Sequence, residues 1–142
     1  MRYEQIYTIW DIYDGIRTGT ADLNGAPHYF SSLYDEVADE YSSNFRLYPV
    51  GIEFMQRAEH SWNIYCAWES KFHGGEVDLK THPGHRGVDA EYDEVKLWLD
   101  DQIARLQALP TLYRAKFREL PGQEDRSWVV LKHEVTWSPS SD

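Results

Sequence analysis

The chain has 142 residues, with 24 Asp or Glu against 14 Lys or Arg and a formal charge of −10. That is the length of one domain, and six Trp, ten Tyr and five Phe supply a core that needs neither disulfides nor a structural metal. The acidic balance, without a basic run, argues against an affinity built on neutralising nucleic-acid phosphates, and no apolar run approaches the roughly 20 residues of a membrane span.

The opening MRYEQIYTIWD holds no long apolar segment before its first acids, so a secretory signal is not expected and the expected location is the cytoplasm. Gln5 to Tyr13 reads as a strand with both parities partly apolar. Asp14-Gly15 can turn the chain, and Asn24-Gly25 is a stronger hairpin signal between arms Thr18 to Leu23 and Ala26 to Leu33. Pro27 lacks an N–H donor and belongs near a strand start or edge. Asp35 to Asn44 reads as a polar connection, and Asn44 to Val50 as a fourth strand.

Ile52 to Phe72 follows a helical period through Met55, Ala58, Trp62, Tyr65, Cys66 and Phe72, and Gly74-Gly75 ends it. Cys66, the single cysteine, excludes an intrachain disulfide and reads as a buried inert thiol. A loop over Glu76 to Gly87 leads to a second helix, Asp89 to Leu109, whose face runs Tyr92, Val95, Leu99, Ile103, Leu106 and Leu109. Lys96 with Asp100, and Asp101 with Arg105, are spaced to pair along it. Pro110 closes the helix, and Thr111 to Leu120 alternates, with Arg114, Lys116 and Arg118 on its solvated side. A turn over Pro121 to Asp125 and a strand over Ser127 to Trp137 complete the pattern. The predicted fold is α+β: a mostly antiparallel five- or six-stranded sheet with two long helices packed on one face. It forms one domain over 1–142 with a loose tail over 138–142.

The leading chemical candidates are Asp11, Tyr13, Asp14, Arg17, Asp22 and His28, which closely spaced strands can gather. Two neighbouring carboxylates can split their pKa values into an acid and a base, or hold a divalent metal. The plainer reading is that Asp14 caps a turn, Asp11 pairs with Arg17, and the group fixes a hairpin. Trp10, Tyr13, Tyr29, Phe30, Trp62 and Trp68 can line a groove beside these acids or fill a core. Glu53, Arg57, Glu59, His60 and Glu69 read mainly as a helix surface, with Glu53 and Arg57 four apart. His82 and His85, three apart across Pro83-Gly84, are weak metal candidates, with His73, Glu76 and Asp78 nearby. Nucleotide-binding glycine motifs, CxxC and GxSxG are absent from the sequence.

The segment DIYDGIRTGTADLNGAPHYF resembles the opening of a family of small bacterial proteins of uncharacterised activity. The resemblance rests on Asp11, Tyr13, Asp14, Gly15, Arg17, Gly19, Ala21, Gly25, Pro27 and His28. It covers about 20 residues and implies no activity or cofactor. The preferred expectation is a soluble binding or interaction protein with an acidic surface, recognising a basic protein or small ligand through the N-terminal sheet, with a homodimer left open. The alternative is a small metal-assisted hydrolase using Asp11, Asp14 and His28, in which a divalent metal would activate water. A weaker third reading, an acidic mimic of nucleic acid, is opposed by the scattered basic residues.

Overall fold

In the computed structural model, residues 2–123 and 132–140 are described. The expected turn residues Glu124 and Asp125, and the first part of the expected last strand, Ser127 to Leu131, lie outside them. The fold is α+β, with six strands in an antiparallel sheet and two long helices. The sheet closes on itself as a barrel in the order β1-β2-β3-β4-β5-β6. The strands are β1 (Glu4–Ile12), β2 (Ile16–Leu23), β3 (Ala26–Asp35), β4 (Glu40–Pro49), β5 (Tyr113–Glu119) and β6 (His133–Pro139). Every strand pairs with its sequence neighbour, and β6 returns to β1 through Glu4↔Val135 and Gln5↔Glu134. Closure gives every strand a neighbour on both sides, over part of its length for β4 with β5 and β1 with β6.

The chain divides into two compact units. One contains the strands, up to Gly51, with Leu106–Leu120 and the stretch from Lys132; the other contains Ile52–Arg105. The helical unit is thus inserted between β4 and β5.

Turn chemistry sets the first hairpins. Asn24 and Gly25 both have positive φ, 54° and 78°, as a type I′ turn requires. Asp14 (53°) and Gly15 (115°) likewise reverse the chain between β1 and β2. Side chains alternate across each strand, so Gly19, Ala21 and Leu23 of β2 share a face with His28, Phe30 and Ser32 of β3 and with Phe45 and Leu47 of β4. That face is the barrel interior. Phe30, Phe45, Phe117 and Trp137 meet there from four strands, with ring centroids 5.6–6.1 Å apart. Offset and edge contacts of this kind add to area burial. Gly19 is required by the plug: a Cβ there would lie 2.1 Å from the Thr8 carbonyl oxygen and 2.9 Å from the Phe30 ring.

On the opposite face of the β1–β2 pair, Thr8 and Thr20 are almost wholly buried and their hydroxyls lie 2.8 Å apart. The Thr20 N–H also donates to Thr8 Oγ1 at 3.1 Å. Both threonine hydroxyls, removed from water, therefore have partners.

Three boundaries differ from expectation. The segment read as a connection over 35–44 largely belongs to β3 and β4, because Asp35 Oδ1 accepts the N–H groups of Val37 and Ala38 and Asp39 takes φ 52°, which closes a short loop. Ser138 and Pro139, expected in a loose tail, end β6 by pairing with Arg114 and Tyr113. The second helix stops at Arg105, and Leu109 instead donates its N–H to the Leu47 carbonyl at 2.7 Å.

In the helical unit, α1 (Ile52–His73) and α2 (Ala90–Arg105) run close to their expected spans. Gly75, at φ 76°, follows α1, where the Glu76 N–H returns to the Lys71 carbonyl. Asp89 starts α2 by accepting the Tyr92 N–H at 2.9 Å. The spaced pairs form as read: Lys96–Asp100 at 3.2 Å and Arg105–Asp101 at 3.3 Å. Across the pair, Phe54 meets Trp98, Arg57 covers the Trp98 ring at 4.6 Å, and His60 Nε2 lies 2.5 Å from Glu91. Among the described residues no helix is long and apolar enough to cross a membrane.

Candidate functional site: a tyrosine-lined barrel mouth

The inward rows of β2 and β3 continue past the aromatic plug, through Arg17 below Gly19 and Tyr34 beyond Ser32. Both reach the end of the barrel where the β1–β2 and β3–β4 turns lie side by side. An open concavity of about 500 Å3 sits there, lined by Tyr13, Asp14 and Arg17 from one turn and Tyr34, Asp39, Glu40 and Tyr41 from the other. Barrel mouths are favoured places for ligands.

Tyr41 is the hub. Its ring lies 5.2 Å from Tyr34, nearly perpendicular to it, and 6.0 Å from Tyr13. The Arg17 guanidinium covers the same ring at 4.8 Å. Arg17 is held there by the turn it closes, donating from Nε to the Tyr13 carbonyl at 2.7 Å and from Nη2 to the Asp14 carbonyl at 2.6 Å. The Tyr34 hydroxyl donates to Asp39, and that bond raises the Tyr34 pKa, because ionising the phenol would set its charge against the carboxylate. Asp14, Asp35, Glu36, Asp39 and Glu40 stand on these two turns against the single cation Arg17. Large apolar surface is exposed on the same turns: Tyr13 at 71%, Ile12 at 58% and Val37 at 99%.

The residues singled out from sequence separate into three places. Tyr13, Asp14 and Arg17 reach the mouth. Asp11 lies beside it on the opposite face of β1–β2, accepting from the Thr18 hydroxyl at 2.9 Å rather than pairing with Arg17. Asp22 and His28 lie toward the other end of the hairpin. Four residues of strand separate Asp22 from Thr18, which is about 13 Å. Asp22 accepts from the Tyr7 hydroxyl at 3.1 Å, and the buried His28 ring uses Nδ1 to donate to the Ala26 carbonyl at 2.7 Å. The six-residue cluster does not converge, and the Asp11–Asp14–His28 constellation needed for metal-assisted hydrolysis is not assembled. Among the described residues no three His, Cys, Asp or Glu stand together as a metal site.

The expected aromatic groove is also divided. Phe30 belongs to the plug and Tyr13 to the mouth, while Trp10, Tyr29 and Tyr48 form a row with centroids 5.9 and 5.4 Å apart. On α1, Trp62, Tyr65, Trp68 and Phe72 follow one another along the helix. His82 packs against Trp68 at 4.4 Å and Tyr65 at 5.7 Å, and its Nδ1 accepts the Gly84 N–H at 2.8 Å. His85 lies 5.7 Å from it, ring to ring. The pair anchors a loop, with one imidazole nitrogen already engaged. Burial pushes the Tyr65 phenol well up, and a hydrogen bond to the buried Glu69 adds to the shift.

Tyr34, Asp39, Glu40 and Tyr41 were missed by sequence reasoning. The usable signal was the pair of aromatics flanking the turn-forming run Asp35 to Asp39. Compared with protein-family models, with curated proteins and with solved structures, the chain matches none.

Proposed function

We propose that this protein is a binding module whose acidic, tyrosine-lined barrel mouth takes a basic segment of a partner protein. The observation that carries this reading is the concavity in which three tyrosines and three carboxylates meet at two adjoining turns. Tyrosine rings offer flat, partly apolar contact area at small entropic cost and attract cations through their faces. The flanking Ile12 and Val37 extend the surface beyond a small-molecule pocket, and exposed apolar groups rimmed by charge favour a protein partner. The excess of acids on the two turns selects a basic one.

A lysine-rich peptide titrated into the protein tests this. Binding should weaken as salt rises, since the screening length falls from about 10 Å at 0.1 M to about 3 Å at 1 M. Tyr13→Ala, which removes a largely exposed ring, should weaken binding about fivefold, the equivalent of ~1 kcal/mol of cation–π contact. Glu40→Gln should lower affinity further and reduce the salt dependence. Saturable binding unaffected by either substitution, or no binding at all, refutes the assignment.

A further inference from the structure

Resting on the reading of the mouth as a site for a basic segment, we propose how that segment binds: as an added β-strand along the edge of β4 at Glu40 to Ser43. β4 is ten residues long, yet among the described residues it pairs with β5 only through Asn44↔Arg114 and Phe45↔Tyr113. Beyond Arg114, β5 continues through Ala115 to Glu119 paired with β6 alone. The two strands therefore part at Asn44, on the side nearer the mouth.

The cause is a bulge. The β3–β4 register passes from Ser32↔Phe45 to Tyr34↔Tyr41, so Leu33 faces Ser42, Ser43 and Asn44. Side chains fill in for the interrupted ladder: Ser32 Oγ donates to the Ser42 carbonyl and the Asn44 N–H donates to Ser42 Oγ, both at 3.0 Å. Bulges bend a strand and re-aim its edge, often beside binding sites. Here the re-aimed stretch carries Glu40 and Tyr41, two residues of the mouth.

A strand laid on this edge would place alternate side chains over the mouth. Lys or Arg at those alternate positions would face Tyr34, Tyr41 and Asp39, while its backbone bonds to β4. A second copy of this chain suits the edge poorly, since each would bring five acids and one Arg from the same two turns. The structure thus points to a partner segment with basic residues at every second position.

The test uses a peptide of about eight residues alternating Lys with Thr or Val, and two N-methylated forms of it, one for each parity. Methylating the parity whose N–H groups face β4 should cost about tenfold or more in affinity, and methylating the other about twofold or less. Hydrogen exchange at Tyr41 to Ser43 should slow in the complex. If the unmodified peptide does not bind, the mouth assignment falls and this proposal with it. If it binds and both methylated forms bind equally well, strand addition is overturned while the charged mouth stands. Self-association of the protein that competes with the peptide would give the edge to a second copy and also overturn the proposal.

Discussion

Gly19→Ala is the sharpest probe of the barrel. The added methyl would stand 2.1 Å from the Thr8 carbonyl oxygen and 2.9 and 3.1 Å from two carbons of the Phe30 ring. Forcing an extra carbon into a filled core costs ~1–3 kcal/mol and occasionally more. The nearest atom belongs to the backbone, so relief requires β1 and β2 to move apart rather than a side chain to rotate. The expected cost is therefore about 3 kcal/mol, the top of that range. Unfolding entropy of ~2.1 cal/mol/K per residue gives roughly 0.3 kcal/mol/K for this chain, so Tm should drop by about 10 °C. Thermal melts followed by circular dichroism would measure it. Gly51→Ala is the control, because a methyl there meets open space; its effect should stay within about 0.5 kcal/mol. A Gly19→Ala protein melting within about 2 °C of the parent would show that β1, β2 and Phe30 do not approach as described.

Two more predictions concern polar groups. Thr8→Val should destabilise by ~1–3 kcal/mol and by more than Thr20→Val, because Thr8 Oγ1 also accepts the Thr20 N–H; chemical denaturation of the two variants gives the order, and equal costs would refute it. Tyr65 binds its proton more tightly folded than unfolded, so its stabilising contribution is complete below the unfolded value near pH 10 and is lost as pH rises through the higher folded value. Ultraviolet titration should show late-ionising phenols, and Tyr65→Phe should remove the latest step while leaving that of the less strongly raised Tyr34; a variant retaining the latest step would show that another phenol is responsible.

Local chemistry was legible where it acts locally. Asn24-Gly25 fixed its turn through two positive φ angles, and the three-and-four spacing from Tyr92 to Leu99 marked α2. Barrel closure depends on pairing Glu4 with Val135, residues at opposite ends of the chain, and leaves no nearby pattern. β4 was half hidden because three residues oppose Leu33, which breaks the alternation that would have exposed Tyr41 as a strand residue. Asp11 and His28 are near in sequence but not in space for a related reason: the eight residues of β2 carry its two turns to opposite ends, about 26 Å apart.

The insertion between β4 and β5 has a kinetic consequence. The meander from β1 to β4 needs only short reversals, but zipping β4 to β5 means bringing together residues with all of α1 and α2 between them. Loop entropy opposes that closure until the intervening chain has shortened itself by becoming helical. The four-stranded meander is then expected as an early species, with the last two strands locking the cylinder late; slowing α2 formation should delay locking without delaying the first hairpins.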